Sequence, residues 1–273
     1  MRTFVALLPV VAAAMSAAAL PARRQAAFTS STATSTATSS AAAASSTSTN
    51  SASTVTVDGK TYVNHGLVAF GRIPHDSYDS YGESLGGLGS AIALESFRSG
   101  SKGSYTGTIR LQPDRGHNSG GLATSDYRAR SHRFDLSFTP VDGSNGAKAS
   151  GENLKLKYRD TLLYKNGFNY TTGLDPDGVR QGNPDLPIAT FDNHVSFDAE
   201  GLVDIGDVLI VSDEYGPYIY GIEKTTGHVF STIAPPNAIL PKQDGKTNFT
   251  ALANPTTGRS ANQGFEGLTL DRK

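Results

Sequence analysis

Phe197-Asp198-Ala199-Glu200-Gly201-Leu202 and Gly264-Phe265-Glu266-Gly267-Leu268-Thr269 share one order of residue types. An apolar residue comes first, then a Glu-Gly-Leu step, then a return to strand-like sequence. Each phrase puts one carboxylate on a tight, glycine-containing approach to a β-strand. Between them lies Val211-Ser212-Asp213-Glu214-Tyr215-Gly216-Pro217-Tyr218-Ile219-Tyr220, which reads as strand, acidic pair, turn and strand. Strand-and-turn units that recur at intervals of tens of residues indicate a repeat architecture. Acidic residues at matching points of such repeats converge, and a hard cation is the natural occupant of that point.

The rest of the chain fits an all-β protein. Strands are expected at residues 61–69, 90–94, 105–111, 132–139, 153–164, 208–212, 218–223 and 229–233, and another opens at Leu268. Asp58-Gly59, Asp142-Gly143, Asp177-Gly178, Thr226-Gly227 and Asp244-Gly245 supply turn signals between them. No long stretch has the 3.6-residue period of an amphipathic helix. A propeller, a sandwich and a β-helix all satisfy this pattern.

Ahead of these strands the sequence changes character. Arg2, the apolar run from Phe4 to Ala14 and the small residues Ala17-Ala18-Ala19 read as a secretory signal over residues 1–19. Residues 20–54 carry the dibasic Arg23-Arg24 near their start and from Ala26 on are Ser, Thr and Ala almost throughout. That stretch cannot bury enough apolar surface to offset its ordering entropy, so a disordered linker or pro-segment is expected. A folded domain is expected over 55–273. The apolar leader is too short and too broken for a membrane span, and no second long apolar run follows. The expected location is therefore extracellular.

Composition narrows the function classes. The chain has 24 basic and 25 acidic residues. The only charges before Asp58 are three arginines, so the domain itself is mildly acidic. It lacks the basic face that nucleic-acid binding needs. With no cysteine there is no disulfide, thiol nucleophile or Cys-ligated zinc. Asn169-Tyr170-Thr171 and Asn248-Phe249-Thr250 match the N-glycosylation acceptor, which makes Asn169 and Asn248 candidate glycan sites.

Several runs are specific enough to indicate a family. They are Ser84-Leu85-Gly86-Gly87-Leu88-Gly89-Ser90-Ala91-Ile92, Gln112-Pro113-Asp114-Arg115-Gly116-His117-Asn118 and Tyr127-Arg128-Ala129-Arg130-Ser131-His132-Arg133-Phe134. Thr172-Gly173-Leu174-Asp175-Pro176-Asp177-Gly178-Val179-Arg180 and the three acidic runs above extend the match. Together they resemble the phytase-like family, described as having esterase-like activity of phytase, in its secreted fungal form. The resemblance implies an extracellular β-propeller that hydrolyses phosphoesters or carboxylic esters. A blade takes roughly 40–50 residues, so residues 55–273 supply about four or five. Family members run further, and the expectation is an incomplete propeller, truncated at its C-terminus.

The candidate chemistry is metal-assisted ester hydrolysis. Asp198, Glu200, Asp213, Glu214 and Glu266 are the expected ligands of a cation, with Ca2+ the candidate because every donor is oxygen. Glu83 and Asp114 belong to the same acidic set. Arg115 is read as the group that binds an anionic substrate through its fork of donors, and His117 as a general acid for the leaving alcohol. Gly82-Glu83-Ser84-Leu85-Gly86 matches the pattern of a serine-hydrolase elbow, yet its neighbours are polar and glycine-rich where a strand and a helix are needed. The competing reading is a non-catalytic propeller that binds a glycan, a cell-wall component or a protein.

Overall fold

The computed structural model describes residues 53–116, 124–142 and 149–271. The expected leader at 1–19, the 20–54 stretch up to residue 52, and His117 lie outside the described residues. The described chain is all-β, with several separate sheets, none of which closes on itself. No helix among the described residues is long and apolar enough to cross a membrane.

The chain divides into two units. In the smaller, β1 (Ser53–Val57) and β2 (Lys60–Asn64) form an antiparallel hairpin. Asp58 and Gly59 make its two-residue turn with φ of 50° and 73°. Positive φ at both positions matches the right-handed twist of the strands, as the Asp-Gly pair led one to expect. The expected strand over 61–69 stops early. Gly66, at φ 74°, turns the chain, and its amide donates to Asn64 Oδ1 at 2.8 Å.

The larger unit holds two four-stranded antiparallel meanders. The first is β3 (Leu88–Ser99), β4 (Tyr105–Pro113), β5 (Arg130–Phe138) and β6 (Leu154–Leu163). Two ribbon strands follow, β7 (Lys165–Asn166) and β8 (Asn169–Tyr170). A three-stranded sheet contains β9 (Gly178–Arg180), β10 (Leu186–Ala189) and β11 (His194–Val195). The second meander is β12 (Ala199–Asp204), β13 (Val208–Asp213), β14 (Ile219–Glu223) and β15 (Val229–Ile233). A final hairpin joins β16 (Lys242–Gln243) and β17 (Lys246–Thr247) through Asp244-Gly245.

Packing follows from side-chain size. Ala91 and Ala93 on β3 are small enough to let β12 lie against that strand. Beside them Phe197 packs between Tyr220 and Tyr164 with tilted rings, centroids 4.6 Å apart for Phe197–Tyr220 and 5.9 Å for Tyr164–Phe197. Leu202, Leu209, Val211, Ile222, Tyr218 and Phe249 complete this core. Truncating a buried aromatic of this kind to Ala costs about 3–5 kcal/mol. Lys224 joins the two meanders, reaching Asp204 at 2.7 Å and Glu95 at 3.3 Å.

Two expectations need correcting. Asp177-Gly178 is not a hairpin turn: Gly178 opens β9, and Asp177 accepts the amide and hydroxyl of Thr190, both at 2.7 Å. Residues 268–270 do not form a strand. They are coil, because no described strand pairs with them in a ladder.

Candidate metal centre

The site is built where β12 leaves its register. Ala199 pairs with Asp213 and Leu202 with Val211, so three steps on β12 span two on β13. The extra residue is a β-bulge, a device that re-aims side chains. It turns Glu200 out of the ladder. Gly201 is needed in the bulge, since a Cβ there would lie 2.5 Å from both Leu268 Cβ and Ser212 Oγ.

Asp213 holds the frame from within. It is fully buried, and its Oδ1 accepts the amides of Asp198 at 2.8 Å and Tyr215 at 3.2 Å. Asp198 in turn accepts the Arg115 amide on Oδ1 and faces Arg115 Nε across 3.1 Å through Oδ2. Its carbonyl accepts the Glu214 amide at 3.0 Å. These short links bring Asp198, Glu200 and Glu214 together, with one carboxylate oxygen of each within 4.8 Å of the others.

Charge has accumulated here without matching cations. Burial pushes Glu200 up to about 9, helped by the charges of Asp198, Glu266, Asp114 and Glu214. Burial and Asp198 push Glu214 up to about 7. Asp198 is also raised by burial, against the pull of Arg115, and complete burial lifts Asp213 well above the usual carboxylate range. Glu214 Oε1 and Asp213 Oδ2 are buried with no hydrogen-bond partner. Orphaned buried carboxylate oxygens are costly, and a bound cation is one way to satisfy them.

A strap from Asn262 to Leu268 closes the other side. Phe265 donates its amide to the Asp213 carbonyl at 3.3 Å, and Ser212 Oγ donates to the Glu266 carbonyl at 2.7 Å while accepting the Gly201 amide. The Glu266 side chain is exposed at the rim. The two Glu-Gly-Leu phrases therefore meet across Ser212, although their backbones differ: the first is a bulged strand and the second is coil.

Of the expected ligands, Asp198, Glu200 and Glu214 form the cluster. Asp213 lies behind it as the hydrogen-bonded frame, and Glu266 sits at its edge. Arg115 is in the site but buried, its guanidinium donating to the Tyr215 hydroxyl and Asn262 Oδ1, with Asp198 beside it. Sequence reasoning missed Arg259, whose donors reach the Tyr215 carbonyl at 2.7 Å and the Phe249 carbonyl at 2.6 Å. Nothing in its local sequence, Thr257-Gly258-Arg259-Ser260, distinguishes it from a surface arginine.

Residues 97–273 match the family described as "Phytase-like: Esterase-like activity of phytase". An "Uncharacterized secreted protein" of Arthroderma benhamiae is 37% identical over 244 residues, which cover 78% of this chain and 47% of that protein. The chain thus spans about half the length of this curated relative. On both the family match and this relative, the chain belongs to the phytase-like family.

Proposed function

We propose that this chain is part of a secreted β-propeller that hydrolyses phosphate or carboxylic esters with the help of a hard divalent cation, calcium being the candidate. The single observation that carries the reading is the Asp198, Glu200 and Glu214 cluster with the unpartnered Glu214 Oε1 beside it. All donors are oxygens, which suits Ca2+ better than zinc or copper. The two four-stranded meanders have the make-up of propeller blades, in support of that architecture. In the proposed division, residues 1–19 are the leader, 20–54 a linker and 55–273 the propeller segment.

In this mechanism the three carboxylates would hold the cation, and Asp213 and Arg115 fix the orientation of Asp198. When bound, a cation of this type neutralises the ester oxygens and lowers the pKa of water. Glu266, exposed at the rim, is the proposed acceptor of a proton from an incoming water. Arg115 tempers the summed negative charge, so that an anionic ester is not repelled.

A second reading is favoured by one observation. The Arg115 guanidinium is committed to Tyr215, Asn262 and Asp198, which leaves no free fork for a phosphate. On that reading the chain is a binding module for a glycan, a wall component or a protein, with the cation as a structural element.

The deciding experiment follows thermal melting of the secreted protein in calcium, in magnesium and in chelator, together with hydrolysis of 4-nitrophenyl phosphate and 4-nitrophenyl acetate. Calcium-dependent turnover supports the hydrolase. A calcium-dependent rise in Tm without turnover of either ester supports the binding module. A Tm indifferent to both cations removes the site.

A further inference from the structure

The β7–β8 hairpin presents a residue that folding does not explain. Asn166 pairs with Asn169 across a two-residue turn of Gly167 and Phe168, with Gly167 at φ 62°. Phe168 is 101% exposed, as bare as a phenylalanine can be. Phe191 stands on the neighbouring turn, between β10 and β11, and is 91% exposed. The two turns are tied by Arg180, which donates to Asn166 Oδ1 and to the Asn193 carbonyl. Thr172 bridges in parallel to Ser196, so both tips project from the same end of adjoining strands. An ordered hairpin holding up a naked aromatic ring calls for an occupant.

The residue after Phe168 supplies one. Asn169 is exposed and begins the acceptor Asn169-Tyr170-Thr171. We infer that Asn169 carries an N-linked glycan whose first N-acetylglucosamine lies on the face of Phe168. The inference goes beyond the cation site and shares with the proposed function only the secretory route. Sugar C–H bonds are polarised toward positive and an aromatic face is negative, so the apolar side of a pyranose stacks there. The covalent step needs a lipid-diphosphate-linked oligosaccharide. Asn169 Nδ2 bonds to the anomeric carbon and loses one proton, and the lipid diphosphate leaves.

Thr171 sets the timing. It is fully buried, and its hydroxyl points to the Tyr164 carbonyl at 3.4 Å. The acceptor is therefore legible to a transferase only before this part folds. Asn248 is built differently: its Oδ1 accepts the Thr250 amide at 3.2 Å, and no exposed aromatic adjoins it, since Phe249 is fully buried. The stacking inference concerns Asn169 alone.

The test uses the full chain secreted from a eukaryotic host. Mass spectrometry after peptide-N-glycosidase treatment should find Asn169 converted to aspartate. Phe168→Ala should lower Tm of the glycosylated protein by about 2–4 °C, the shift expected for one lost contact in a domain of this size. The same change in an Asn169→Gln background should have no effect. Trimming the glycan to its first sugar should preserve the difference. An unmodified Asn169 overturns the inference, and so does an equal Phe168→Ala effect with and without the glycan. Neither result bears on the cation site, whose own test is the calcium response.

Discussion

Gly264 and Glu214 are in backbone contact across the site: a Cβ on Gly264 would lie 2.0 Å from the Glu214 carbonyl oxygen. The strap can therefore seat only if position 264 has no side chain. Gly264→Ala is expected to lift it and to destabilise the protein by about 1–3 kcal/mol, the range for forced overpacking. Urea denaturation of both forms checks this. The calcium-induced stabilisation should shrink in parallel, because Glu214 is displaced.

Removing ligands should have a different signature. With calcium at about 100 times its Kd, binding contributes about 2.7 kcal/mol of stability. The double change Glu200→Gln and Glu214→Gln should abolish that increment, and melting in chelator should rise, because burial and like charge oppose both carboxylates in the metal-free fold. A double variant that still gains stability from calcium assigns the cation elsewhere.

His132 gives a pH dependence of defined sign. It is fully buried on β5, with Nδ1 at 2.8 Å from Thr161 Oγ1, and burial pushes it down to about 4. The unfolded chain takes up the proton near 6.5. Its contribution is therefore complete above that pH and is lost as pH falls toward 4, to the order of 3 kcal/mol. His132→Gln removes this titration. The wild type should lose more stability than the variant between pH 7 and pH 4, measured by urea midpoints.

Arg259 is expected to be irreplaceable by lysine. Its Nη2 serves the carbonyls of Tyr215 and Phe249 while Nε adds a second donor to Tyr215 and Nη1 reaches the Ser260 carbonyl, a planar set of donors that an ammonium does not reproduce. Arg259→Ala should cost about 3 kcal/mol through the orphaned acceptors. Arg259→Lys should recover less than half of it, as read from thermal melts.

Much of the all-β fold was legible because its signals are local. Asp58-Gly59 and Asp244-Gly245 form the turns their chemistry demands, and the strand over 229–233 has the expected bounds. The cluster was legible in part. Asp198, Glu200 and Glu214 flank one hairpin, and their contexts drew notice. What the sequence hid was which carboxylates cluster and which serve mainly to hold backbone amides. Asp213 and Glu214 are neighbours in the chain, yet the alternation of a strand end sends one inward to the backbone and the other toward the cluster. The Glu200 and Glu266 phrases are alike in sequence but not in setting, because Gly201 is a contact requirement whereas Gly267 faces open space. Arg259 and Asn262 entered the site through distant contacts that no local pattern encodes.

Those distant contacts set an order of events during synthesis. Arg115 and Asn262, joined by a hydrogen bond, are 147 residues apart in the chain. A ribosome must make the whole intervening stretch before the strap can dock, and closing so long a loop costs entropy that only the finished contacts return. Until then Glu214 and Asp213 lack the backbone cover that Gly264 and Phe265 give them. A cation-dependent rise in stability, if the cluster takes one, would therefore report that the strap has docked.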